Sequence, residues 1–160
     1  MSLEFDTMLE TAREYCDLIE AAEDANGQWL QRLLELLPRL HAAMAALGPL
    51  ANERSEPMRV DLDARFDLFT RLRQLLGERD AYWMQFDVGQ DGQQMSGSLA
   101  DDLTDIYCEL KYGLMRLDSD KDPDTTLEGW RYGYQVHWGQ HLVDAERHLY
   151  ELSARDELRP

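Results

Sequence analysis

His137 and His141 stand four residues apart in the run Trp130-Arg131-Tyr132-Gly133-Tyr134-Gln135-Val136-His137-Trp138-Gly139-Gln140-His141-Leu142-Val143-Asp144. On a helix that spacing puts two imidazoles one turn apart on one face, where they can chelate a single ion, as the histidines of HExxH zinc helices do. The catalytic glutamate of that motif is missing, because Trp138 follows His137. A complete site therefore needs carboxylates from elsewhere. Asp102, Asp105 and Glu109 recur at helical spacing along one edge of another predicted helix, and Asp144 follows His141 by three residues. His148 cannot share an ion with His137, since the intervening helix separates them by about 16 Å at 1.5 Å per residue. The same residues also admit a structural role, in which the histidines hydrogen-bond the acidic edge and orient two packed helices. Tyr134 and Trp138, on the aromatic stripe beside the histidines, are further candidates for a ligand or interaction surface. No motif calls for a cofactor, and a divalent metal is the exception this set admits.

These residues must be positioned by helices. From 3 to 23, Phe5, Met8, Leu9, Ala12, Tyr15, Cys16, Ile19 and Ala22 recur at three- and four-residue spacing with acids between them, which predicts an amphipathic helix. A second helix follows Asn26-Gly27 through Trp29, Leu30, Leu33, Leu34, Leu37, Leu40, Met44 and Leu47. Pro38 is expected to kink or split it, since proline removes one helical hydrogen bond and crowds the preceding turn. His41 lies alone among Leu and Ala and reads as structural. After a polar loop over 52–59, a third helix starts near Asp61 and runs through Leu62, Phe66, Phe69, Leu72 and Leu76 to a glycine cap at Gly77.

Asp80 is suited to cap a short turn in which Tyr82, Trp83 and Phe86 pad the core, and 88–97, with three glycines, reads as flexible. Ser98 is the expected N-cap of a fourth helix whose apolar face is Leu99, Leu103, Ile106, Leu110, Leu114 and Leu117. Its three acids repel one another unless something positive stands opposite. A polar loop over 118–124 leads to the C-terminal helix, expected over 127–152. There Gly133 and Gly139 imply close approach of another element, for Gly139 a loop or a second subunit. The fold expected is all-α: one domain over 1–160, a bundle of about five principal helices, mostly antiparallel, with Leu33, Leu37, Phe66, Phe69, Leu103, Ile106, Leu110, Tyr134, Trp138, Ala145 and Leu149 in its core.

Thirty-two acids against sixteen Lys and Arg give a net charge of −16, which leaves phosphate neutralisation without a source. Nucleic acid and anionic membrane are disfavoured as partners. No apolar run approaches a membrane span, and Cys16 and Cys108 form no CxxC pair, so a cytoplasmic setting is expected.

Asp80-Ala81-Tyr82-Trp83, Ser98-Leu99-Ala100-Asp101-Asp102-Leu103-Thr104-Asp105-Ile106-Tyr107 and His137-Trp138-Gly139-Gln140-His141-Leu142-Val143-Asp144-Ala145, in this order and spacing, resemble a small all-helical bacterial family catalogued as domain of unknown function 5063. The resemblance covers about the C-terminal half. It implies a helical fold and draws attention to the same residues, but it carries no mechanism. Serine triads lack a nucleophile elbow. Helical nucleotide pyrophosphohydrolases hold magnesium with paired acidic motifs, of which Asp102-x-x-Asp105 with Glu109 is half. The leading expectation is a non-enzymatic interaction or regulatory module acting through a protein partner, with a homodimer admitted. The alternative is a metal-binding protein or metal-dependent hydrolase built on His137, His141, Asp144 and the acidic edge.

Overall fold

The computed structural model of the chain describes residues 2–23, 27–49, 58–85, 94–119 and 122–160. In order they form α1 (Leu3–Glu20), α2 (Trp29–Ala46), α3 (Leu62–Leu76), a 3-10 turn (Gly77–Arg79), strands β1 (Ala81–Gln85) and β2 (Gln94–Ser98), α4 (Leu99–Asp118), α5 (Pro123–Gly133), a π-helical segment (Tyr134–Trp138) and α6 (Gly139–Ala154). The segment from α5 through α6 is one helical run, so the five principal helices expected are present, with a small antiparallel hairpin added.

The helix ends follow local chemistry. Asp61 caps α3 by accepting from the Asp63 and Ala64 amides, and Ser98 caps α4 by accepting from the Asp101 amide at 3.2 Å. Gly77 ends α3 with φ +57°, a conformation that disfavours a side chain. Asp122 caps α5 with Pro123 in its first turn, so the C-terminal run starts four residues before the expected 127.

α4 lies at the centre, against α1, α3, α5 and α6. The apolar core takes Met8, Tyr15 and Ile19 from α1, Leu30, Leu33, Leu37 and Leu40 from α2, Leu103, Ile106 and Leu110 from α4, and Trp130, Trp138, Ala145 and Leu149 from the C-terminal run. Phe69 and Tyr134 pack against it partly buried. Two buried polar tips find backbone partners: Tyr15 O–H donates to Leu103 O at 2.6 Å and Trp29 Nε1–H to Leu18 O at 2.8 Å.

Several expectations are corrected. Pro38 does not split α2, which is continuous from Trp29 to Ala46 with the proline on its exposed side. Phe66 is not core; it is 64% exposed, because the stripe of α3 turned to the bundle is Arg65, Phe69, Leu72 and Leu76, and its first member meets carboxylates instead of apolar surface. Tyr82 and Trp83 lie on β1, not in a turn, and alternate: Tyr82 is buried while Trp83 is exposed. Gly97 of β2 sits opposite Tyr82, where a Cβ would overlap the tyrosine ring. Asp80 caps α4, accepting from Ala100 N at 2.7 Å and from Ser98 Oγ at 2.9 Å. Residues 94–97 of the stretch read as flexible are strand; Phe86, 88–93 and 52–57 lie outside the described residues. What a Cβ at Gly139 would meet first is the Tyr134 carbonyl oxygen and ring of its own helix.

Candidate functional site

The polar edge of α4 faces the π segment and the start of α6. His141 Nδ1 lies 2.7 Å from Asp102 Oδ1, and its Nε2 lies 3.0 Å from Asp105 Oδ2. His137 Nδ1 lies 3.2 Å from Glu109 Oε1, with Nε2 3.7 Å from the same Asp105 Oδ2. The two rings meet edge to face, 4.9 Å between centroids. Each imidazole is thus oriented through Nδ1 by its own carboxylate, and both turn Nε2 to one oxygen. A third layer fixes the acids. Arg65 Nε donates to Asp105 Oδ1 at 2.9 Å, its Nη2 reaches Asp101 Oδ1 at 2.8 Å, and Tyr82 O–H donates to Asp102 Oδ2 at 2.5 Å.

The π segment contributes to this convergence. Gly139 N–H bonds Tyr134 O, five residues back, and such a step takes more residues per turn than the 3.6 of an α-helix. The segment ends at Trp138, so it carries His137, while His141 lies on the first turn of α6. Gly133 makes room opposite: a Cβ there would stand 2.6 Å from Glu109 Oε2, so the close approach its mid-helix position implied is that of the Glu109 carboxylate.

Charges interlock across this seam. Burial works against the His141 imidazolium, but hydrogen bonds and charge from Asp102 and Asp105 outweigh it and raise the group to about 10. Burial pushes Asp102 up to about 6 against the hydrogen bonds from His141 and Tyr82. Asp105 feels burial too, yet His141 and Arg65 hold it below the ordinary carboxylate value. Glu109 and Asp144 are both raised by burial, opposed by His137 in the first case and by His141 and Arg147 in the second.

Ligand atoms of Asp105, His137 and His141 lie within 4.8 Å of one another. Atoms that share an ion at zinc-like bond lengths stand about 3.0–3.5 Å apart, so the observed 3.0 and 3.7 Å need only a small closing movement. Asp101, Asp102 and His141 form a second such group. That group is the poorer ligand set, because it offers one imidazole instead of two and Asp102 already occupies His141 Nδ1.

Of the residues singled out in the sequence, Asp102, Asp105, Glu109, His137 and His141 come together. Asp144 lines a groove with His141, Asp102 and Tyr82 and adds charge there. Tyr134 and Trp138 belong elsewhere: Tyr134 Oη pairs with His41 Nε2 at 3.1 Å, and Trp138 Nε1–H donates to Trp130 O at 3.0 Å. His41, also 2.9 Å from Glu146 Oε1, has the bonding expected of a structural histidine. His148, on α6, is buried and bonds Arg79 O through Nε2 at 2.6 Å. Sequence reasoning missed Arg65, Asp101 and Tyr82. Arg65 had a signal, four residues before Phe69 on the buried stripe of α3; Tyr82 read as core padding, with ligand stacking as its alternative role.

No curated protein matches the chain. The crystal structure of protein BF1032 from Bacteroides fragilis is similar, with a TM-score of 0.76 over 94% of this chain and 92% of that one at 22% identity, a likeness of fold. The model of the family DUF5063, a domain of unknown function, matches residues 1–155, and the chain belongs to that family.

Proposed function

We propose that this protein is a cytoplasmic binder of a divalent transition-metal ion, held by His137 Nε2, His141 Nε2 and Asp105 Oδ2 between α4 and the C-terminal run. One observation carries the reading: both imidazoles have Nδ1 occupied by a carboxylate while both Nε2 atoms address one carboxylate oxygen. A carboxylate on Nδ1 fixes the tautomer, turns Nε2 to the ion and raises its basicity. Two imidazoles and a carboxylate suit zinc or iron(II), and three protein ligands leave a coordination position for water or substrate. Asp80, Asp101, Asp102, Asp105, Glu109 and Asp144 outnumber Arg65, Arg73, Arg147 and His141 locally, a field that attracts cations. The cytoplasmic setting is supported by the two free cysteines. Among the described residues no helix is long and apolar enough to cross a membrane.

The test is metal content of untagged protein, followed by calorimetric titration of chelator-treated protein with zinc and iron(II). One ion per chain is expected, with binding abolished in His141→Ala and Asp105→Asn. Equal binding by His141→Ala, or no uptake by the parent protein, removes the reading.

A second reading, the interaction or regulatory module, is favoured by a different observation. Val136, Val143 and Tyr150 recur every seven residues along the C-terminal run and are all exposed. An apolar series of that period suits a helical partner or a second copy of this chain. Light scattering across a concentration series, with Val143→Glu as the control, separates a self-associating chain from a monomer.

A further inference from the structure

At the outer end of the polar seam, between α4 and α5, lies a cavity of about 270 Å³. Glu109 and His137 form one end of it; Tyr112, Trp130, Tyr132 and Val136 form its walls. Two glycines open this space. A Cβ at Gly113 would overlap Trp130 Nε1, and one at Gly133 would press on Glu109 Oε2, so both side chains lie back against helix backbone and leave the gap between them unfilled. One buried polar group at the cavity lacks a partner among the described residues, and a second has one oxygen turned away from its partner. Trp130 is 1% exposed and its Nε1–H has no partner among the described residues. Among the described residues Glu109 is bonded through Oε1, by His137, and that carboxylate is 12% exposed.

We propose that this cavity binds a small primary amine carrying an aromatic ring, its ammonium group on Glu109 Oε2 and its ring between Tyr112, Tyr132 and Trp130. A largely desolvated carboxylate beside aromatic faces complements an ammonium ion twice, through a charge-assisted hydrogen bond and through cation–π attraction. The polarity of the slot sets the orientation. Arg116 also lines the cavity, seven residues along α4 from Glu109 and stacked 5.6 Å over Tyr112, so the cationic end of the ligand belongs at Glu109. Size sets the class: the volume falls just below the ~300–1,000 Å³ of drug-sized pockets, which suits one ring system with a short arm. This site goes beyond the metal reading and does not rest on it, since Glu109 meets His137 through Oε1 and offers the amine Oε2.

The test uses full-length protein treated with chelator, so that a failed metal reading leaves the result intact. Tyramine and phenethylamine are titrated by calorimetry and by tryptophan emission, with phenethyl alcohol and phenylacetate as comparators. The amines are expected to bind and both comparators to bind at least about tenfold more weakly. Glu109→Gln, which keeps the shape and removes the charge, should lose about tenfold or more in amine affinity. Val136→Trp, placed at an exposed position on the rim, should block entry while leaving the circular-dichroism spectrum unchanged. The proposal is overturned if the parent protein takes up neither amine, if the alcohol binds as well as the amine, or if both variants, shown to be folded, bind like the parent.

Discussion

The α1–α2 seam and the α4–α6 seam solve the same packing problem with different chemistry. α1 contributes Met8, Ala12, Tyr15 and Ile19 and α2 contributes Leu30, Leu33, Leu37 and Leu40, nearly all without exposed surface. Between α4 and α6, buried Leu103, Ile106, Leu142 and Ala145 stand beside Asp102, Asp105 and His141, with Glu109 and His137 at the margin. An apolar seam is stabilised by area removed from water and responds little to pH or cations. A seam of buried charges costs desolvation that partners must offset, so its stability depends on what is protonated or bound. The second seam is therefore where solution conditions can act on this fold.

The comparison is sharpened most by truncation. Leu37→Ala, in the apolar seam, should destabilise the protein by about 2–5 kcal/mol in urea unfolding, the cost of lost transfer energy plus a cavity. Its metal stoichiometry should match the parent's. His141→Ala should cost the metal-free protein about 1–3 kcal/mol, because Asp102 and Asp105 lose a buried partner. Loss of stability within error, together with an imidazole that titrates near 6.5 by NMR, would show that the mixed seam is not held by this pair.

Solution pH separates the two seams without mutation. The folded value of His141 lies at about 10, above its unfolded value near 6.5. Its contribution to stability is then fully present below about pH 6.5 and fades as pH rises toward 10. Unfolding of metal-free protein across that interval should show the decline, and His141→Ala should flatten it. A bound ion reverses the sign, since it requires neutral imidazole and is lost on acidification. Leu37→Ala should keep the parent's slope. His137→Ala is expected to cost less than about 1 kcal/mol, as befits a histidine with 41% of its side chain in water. The smallest effect belongs to Phe66→Ala, within about ±0.5 kcal/mol, because that ring is exposed. A larger loss would mean that α3 turns its aromatic side inward.

The helices and their caps were legible because both are local. Three- and four-residue apolar spacing marked α1, α2 and α4, and Asp61, Gly77 and Ser98 marked ends through hydrogen bonds that span a few residues. The acidic edge and the histidine pair were legible for the same reason: one helical turn relates the members of each set. Their mutual facing followed from charge, since three carboxylates on one stripe of α4 needed cations opposite.

What tertiary structure alone decided is of another kind. β1 is five residues long and pairs with a glycine- and serine-containing strand of low intrinsic preference, so its signal lay in Tyr82 reaching over Gly97 to Asp102 and not in either segment. Arg65 occupies the buried stripe of α3 because Asp101 and Asp105 await it on α4, thirty-six and forty residues away. The π step depends on the backbone hydrogen bond from Gly139 to Tyr134, and periodicity along the chain does not register one extra residue in a single turn. Periodic burial and capping are encoded within a turn or two of chain. The pairing of charges across seams, and the retraction of Glu109 and Trp130 onto two glycines, exist only once distant segments have met.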